Sequence, residues 1–220
     1  MSQKTILFQG DSITDGNRLK GKENEWDLNH QMGHGYAYII NGILGSTQLN
    51  DELTFYNRGI SGNRIADLYG RWKEDCLNLK PDILSILIGI NECYSSIHSN
   101  SGSDPERFAK IYRLLLDEAK ETNPHLDIVI CEPFALPVGS LKENYELWQS
   151  LLVPLQKQVY EIAREYHAIF VPLQDKFNEL CRVKNAEYWI WDGIHPTVCG
   201  HYVIAQQWLA HTQKPLNFSL

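Results

Sequence analysis

No run of about 18 apolar residues occurs in the sequence, which excludes a membrane-spanning helix of ordinary length. There is also no Pro/Gly/Ser-rich linker, internal repeat or low-complexity tract. The 220 residues therefore read as one domain, 1–220, long enough to bury its own core. Positive charge is in short supply, with 20 Lys and Arg against 27 Asp and Glu and a net charge of −7. Nucleic acid and anionic membranes need a basic surface to displace counterions, so neither is expected as the main partner. Met1-Ser2-Gln3-Lys4 runs into the first apolar segment without an apolar leader or a small-residue cleavage site, and a cytoplasmic location is the expectation. Closely spaced cysteine pairs are missing too. Cys76, Cys93, Cys131, Cys181 and Cys199 are an odd, scattered set that fits reduced thiols, not a disulfide frame or a zinc site. Cys93 reads as a small buried side chain, not a reactive thiol. No metal and no cofactor are expected.

What is present is polar chemistry at both ends of the chain. Ile6-Leu7-Phe8-Gln9 is short enough for a buried parallel strand and runs into Gly10-Asp11-Ser12. Ser12 is thereby placed at the carboxyl end of the strand, the edge where open α/β sheets bind ligands. Gly and Ser after a strand are ordinarily turn chemistry, so Ser12 alone proves little. The far end of the chain holds Trp191-Asp192-Gly193-Ile194-His195-Pro196. A serine hydroxyl needs a base, and the base needs a carboxylate to hold its tautomer. Asp192 and His195, three residues apart before a helix, can come from a single loop.

Between the ends the chain alternates strand and helix. Residues 17–35 are polar and irregular, which suits a site rim or a subunit contact, and their histidines read as solvated or supporting residues. A helix over 36–44 ends at Gly45, and a strand over 53–57 leads into Arg58-Gly59-Ile60-Ser61-Gly62-Asn63. That loop serves equally as a tight turn or an anion site. Ile65, Leu68, Trp72 and Leu79 predict one helix. The most apolar strand, 81–88, should be central and ends in Gly89-Ile90-Asn91-Glu92. The Asn91 amide can donate to an oxyanion or bond its own turn. Residues 93–103 predict a loop and Ser103-Asp104-Pro105 a helix start; Phe108, Ile111, Leu115 and Ala119 form that helix's buried stripe. A strand over 127–131, a helix over 147–166 kinked or divided at Pro154, and a strand over 168–172 follow. Helices over 177–183 and 197–210 close the chain, the last with Val198, Val203, Ile204 and Trp208 inward. The result is an α/β class, a three-layer α/β/α domain on a five-stranded parallel sheet.

Ser12, Gly62 and Asn91 each follow one of the first three strands at the same sheet edge. With Asp192 and His195 they make up a nucleophile, oxyanion donors, a base and its orienter, the set needed for acyl transfer.

These residues resemble the GDSL or SGNH hydrolases. Gly10-Asp11-Ser12 is similar to that family's first block, Gly59-Ile60-Ser61-Gly62 to its second, Gly89-Ile90-Asn91-Glu92 to its third and Asp192-Gly193-Ile194-His195 to its last. The resemblance implies a flavodoxin-like sheet and a Ser12, Asp192, His195 triad. It also implies an oxyanion hole made by the Ser12 and Gly62 amides and the Asn91 side chain. Glu92 departs from the family's usual Asp. Asn57 to Asn63 and Arg71-Trp72 look most like the acetylxylan and related carbohydrate acetylesterases. That likeness implies an acetylated oligosaccharide as the small-molecule ester substrate. Trp26, Trp189 and Trp191 are the candidate substrate-stacking residues, and core packing is the competing reading for each. A homo-oligomer is expected. The alternatives are a lysophospholipase or thioesterase of the same family and a non-catalytic phosphate- or sugar-binding module.

Overall fold

The first apolar run forms β1 (Gln3–Gly10), whose last five positions are buried. In the computed structural model, which describes residues 3–21 and 28–219, four strands follow it. They are β2 (Glu52–Asn57), β3 (Ile83–Leu87), β4 (Asp127–Cys131) and β5 (Ile169–Val171). All pair in parallel in the order β2-β1-β3-β4-β5. The central strand is β3, and each of its residues is buried, as a strand paired on both edges and covered on both faces requires.

Helices α1 (Ser12–Asp15), α2 (Leu28–Gln31) and α3 (Tyr36–Thr47) connect β1 to β2, and α4 (Ile65–Gly70) and α5 (Trp72–Asp75) connect β2 to β3. Next come α6 (Ile90–Ser99) and α7 (Pro105–Thr122), then α8 (Tyr145–Glu165) between β4 and β5. After β5 lie α9 (Gln174–Leu180), α10 (Ala186–Trp189) and α11 (Val198–Thr212). Right-handed crossovers with this strand order place α3 and α11 on one face and α4, α7 and α8 on the other. On the first face the Phe8 ring lies 5.8 Å from both Tyr36 and Trp208. On the second, Trp72 Nε1 donates to the Leu115 carbonyl at 3.0 Å. From β1 the chain turns outward to β2, while from β3 it turns the opposite way. A crevice therefore opens between the carboxyl ends of β1 and β3, with Ser12 and Asn91 on its two sides.

Several local expectations need correcting. Gly45 lies inside α3, because the backbone of this glycine is not in the left-handed region and the cap falls at Gln48. Residues 93–99, expected as loop, belong to α6. Burial of Ile90, Glu92 and Cys93 outweighs the weak helix preference of the serines. The helix expected through 65–79 breaks at Arg71 into α4, α5 and a short 3-10 turn. Pro154 does not divide α8; the carbonyl it leaves without a donor belongs to the exposed residue Ser150. Helix α9 starts earlier than expected, at Gln174, because Glu132 Oε2 accepts from the Leu173 and Gln174 amides at 2.8 and 2.9 Å. Val198 points outward and is 81% exposed, while Val203, Ile204 and Trp208 are buried as expected. Ile111 is only partly buried. Burial pushes the Cys93 thiol up to about 12, in keeping with a packing role. No described helix is long and apolar enough to cross a membrane.

Candidate active site

Asp11 directly follows β1 and caps α1, its carboxylate accepting from the Ile13 amide at 3.0 Å. Ser12 is therefore the first helical residue, where an amide has no acceptor within the helix. Its Oγ lies 2.8 Å from His195 Nε2, and His195 Nδ1 lies 2.6 Å from Asp192 Oδ2. With Nδ1–H donated to the carboxylate, Nε2 is left to accept the serine proton. The other Asp192 oxygen accepts from the Ile194 and His195 amides at 2.9 and 2.7 Å. Burial opposes ionisation of Asp192, but the bonds from His195 and the two amides outweigh it and hold its pKa below the usual carboxylate value. The Asp192 bond raises the His195 pKa above 6.5, against the opposing effect of burial.

The loop that carries Asp192 and His195 closes on itself. Ile190 bridges Pro196, and the Trp191 amide donates to the His195 carbonyl at 3.0 Å. Gly193 turns the loop with φ of 99°, and its carbonyl accepts from the Leu136 amide at 3.0 Å. A Cβ on Gly193 would lie 2.7 Å from the Val138 carbonyl oxygen.

The loop at 58–63 is held from outside. Asp15 is buried in α1, and its Oδ2 accepts from the Ser61 amide and hydroxyl at 2.9 Å each and from Lys20 Nζ at 2.6 Å. Burial raises the Asp15 pKa, but these donors prevail and the net shift is downward. Asn57 Nδ2 donates to the Thr14 and Met32 carbonyls, while its Oδ1 accepts from Gly59 N. Gly59 has no room for a side chain, since a Cβ would stand 2.4 Å from the Asp15 nitrogen. Gly62 adopts φ of 82°, and among the described residues nothing accepts from its amide. Asn91 lies in the first turn of α6, not in a loop. Its Nδ2 donates one proton to the Asn63 carbonyl at 3.1 Å and has a second to give. Glu92, next to it, is buried and accepts from Ile65 N and Ser103 N at 2.8 Å each, so the longer side chain locks α6 to two neighbouring segments.

The sequence-derived residues thus divide into groups. Ser12, His195 and Asp192 form one hydrogen-bonded chain, and Gly62 and Asn91 meet through Asn63. Trp191 is 62% exposed and stacks over His195 with ring centroids 5.7 Å apart. Trp189 packs partly into the core against Tyr188. Trp26 lies outside the described residues. Asp15, Asn57, Glu92 and Arg71 are supporting residues that spacing alone did not single out. Among the described residues no three His, Cys, Asp or Glu side chains converge as a metal site. His201, whose Nδ1 accepts from Tyr36 N, is pushed down to about 4 by burial and stays neutral at physiological pH.

A doubly wound parallel sheet of this strand order is a flavodoxin-like α/β fold, and at its carboxyl edge hydroxyl, imidazole and carboxylate stand in series, the groups that nucleophilic acyl transfer needs. The particular assignment follows from similarity. The GDSL-like lipase/acylhydrolase family matches over residues 8–203, and the chain belongs to that family of carboxylic ester hydrolases. An acetylxylan esterase of Geobacillus stearothermophilus is 31% identical over 216 residues, covering 94% of this chain and 93% of that protein. The solved structure of the G. stearothermophilus acetylxylan esterase Axe2 superposes with a TM-score of 0.83 at 29% identity, over 96% of this chain and 94% of that one. A Parabacteroides merdae protein named for its likeness to GDSL lipases superposes with a TM-score of 0.88 at 37% identity, over 96% of each chain. Two further Axe2 structures, one with an aspartate and one with a histidine replaced by alanine, are described as catalytic mutants.

Proposed function

We propose that the protein is a single-domain serine esterase that removes acetyl groups from short sugar esters such as xylo-oligosaccharides. Ser12 attacks the ester carbonyl while His195 Nε2 takes its proton, and Asp192 stabilises the resulting imidazolium. The oxyanion rests on the Ser12 and Gly62 amides and the second Asn91 Nδ2 proton. His195 then gives that proton to the departing sugar oxygen, which leaves as a hydroxyl, and water, activated by the same imidazole, releases acetate and frees Ser12. Trp191, with its face exposed beside His195, is the stacking surface for a sugar ring. The observation that carries the reading is the chain from Ser12 through His195 to Asp192, joined at 2.8 and 2.6 Å from opposite ends of the sequence. The acetyl and sugar preference is supported by the likeness to the Geobacillus acetylxylan esterase.

Two assays test this. Ser12→Ala should lower kcat on an aryl acetate by about a thousandfold or more with the thermal unfolding transition retained. Wild-type enzyme should release acetate from acetylated xylo-oligosaccharides and lose activity on nitrophenyl esters as the acyl chain lengthens. Activity rising with acyl length would favour a lysophospholipase or thioesterase instead.

A further inference from the structure

The buried face of the 58–63 loop meets two cations that the proposed chemistry does not use: Arg18, whose Nε donates to the Gly59 carbonyl at 3.0 Å, and Arg71. Arg71 stands at the break between α4 and α5, its side chain 14% exposed. Its Nε donates to Asn63 Oδ1 at 2.8 Å, its Nη1 to Asp75 Oδ2 at 2.8 Å and its Nη2 to the Gly10 carbonyl at 3.4 Å. Gly10 is the last residue of β1, two before Ser12, and its carbonyl also accepts from the Ile60 amide at 3.1 Å. Asn63 directly follows Gly62, and the Asn63 carbonyl holds Asn91 Nδ2. A single planar fork therefore ties together the backbone leading into Ser12, the loop that presents Gly62, and the residue that orients Asn91. The fork is held from behind, because Asp75 also faces Arg58 Nε at 3.6 Å and the Asp75 carbonyl accepts from Gln9 Nε2 at 2.7 Å.

We infer that Arg71 is a positioning residue that holds the Ser12, Gly62 and Asn91 donors in one frame for the oxyanion, an inference that rests on the esterase reading above. Its guanidinium does not touch the substrate. It sets the distance between donors carried by three separate segments, and the geometry needs its fork as well as its charge. A lysine can keep the ion pair with Asp75 but cannot reach Asn63 and Gly10 at the same time.

A double-mutant cycle between Arg71 and Asn91 tests the inference. Arg71→Met and Arg71→Lys should each lower kcat on an aryl acetate by about ten- to a hundredfold, approaching the loss expected for one oxyanion donor. KM should change by less than about twofold, and the affinity of an alkylboronic acid that forms a tetrahedral adduct should fall by the same factor as kcat. In an Asn91→Ala background either substitution should cost clearly less than in the wild-type background, because one of the three donors it positions is already gone. Equal losses in both backgrounds, or loss of boronate affinity no greater than the rise in KM, would reduce Arg71 to ordinary packing and overturn the inference. Should Arg71→Met fail to fold, the same criteria apply to Arg71→Lys. Ser12→Ala separates the two levels. Residual full turnover there overturns the esterase reading, whereas lost turnover there without Arg71–Asn91 coupling overturns this inference alone.

Discussion

The two loops that meet over Ser12 are held in opposite ways. The 190–196 loop carries its own scaffold, with Asp192 accepting from amides two and three residues ahead and Trp191 bonding His195 across the turn. The 58–63 loop has little internal bonding and depends on Asp15, Asn57 and Arg71, which come from α1, the end of β2 and the break after α4. Self-contained geometry suits a proton relay, whose members must stay within hydrogen-bond reach of each other. The proposed oxyanion site collects donors that follow several strands, and only contacts distant in sequence can set their spacing.

The largest loss of activity is expected from the self-supported loop. Asp192→Asn removes the charge that fixes the His195 tautomer and should lower kcat by about ten-thousandfold. The acid limb of kcat/KM carries a second signature. In the wild type, activity should fall as pH drops through a value above the ordinary histidine 6.5, because Asp192 raises the His195 pKa. In Asp192→Asn the residual activity should titrate at lower pH. An unchanged limb would separate the imidazole from the rate.

The externally held loop should yield by a smaller step. Asp15→Asn keeps the shape but weakens the bonds from Ser61 and Lys20, and kcat should drop by about ten- to a hundredfold with KM nearly constant. Stability should respond as well. The folded pKa of Asp15 lies below its unfolded value, so its contribution is present above about pH 4 and lost as pH falls through the folded pKa. Urea unfolding of wild type and variant should therefore converge at low pH.

The smallest effect concerns Asp11, at the turn both loops share. Burial raises its pKa to about 7, against the Ile13 amide bond and the nearby His195. A raised folded pKa means that the folded chain retains a proton the unfolded chain releases. Stability from this group is then fully present below about pH 4 and lost as pH rises to about 7. Asp11→Asn keeps a good helix cap, and it should flatten that part of the stability–pH curve by up to one proton's worth of slope. A curve identical to wild type would show that Asp11 ionises normally.

Legibility follows the same division. The pairing of Asp192 with His195 could be read because both lie in one short loop, and the sheet could be read because each buried strand announces itself as an apolar run. The helical state of residues 93–99 could not be read, since it depends on Glu92 reaching Ile65 and Ser103. Nor could the start of α9, which is capped by a glutamate 41 residues away from Leu173. Asp15 follows the Gly10-Asp11-Ser12 block by three residues, yet its partnership with Ser61 reaches across β2 and has no local pattern. The Lys20 and Arg71 anchors are equally silent, because a charged side chain in sequence carries no sign of where its partner will be.

The sequence alone determined the alternation of strands and helices, the order of the chemical blocks and the chance of a hydroxyl, an imidazole and a carboxylate. Each of these is encoded within a few neighbouring residues, where periodicity and turn chemistry act. Only the tertiary structure decided that Ser12 and His195, 183 residues apart, lie 2.8 Å from each other, and that Arg71 and Asp15 support the loop opposite. Those distances arise when burial of the sheet brings the carboxyl ends of β1 and β3 side by side, a global event that no short segment specifies.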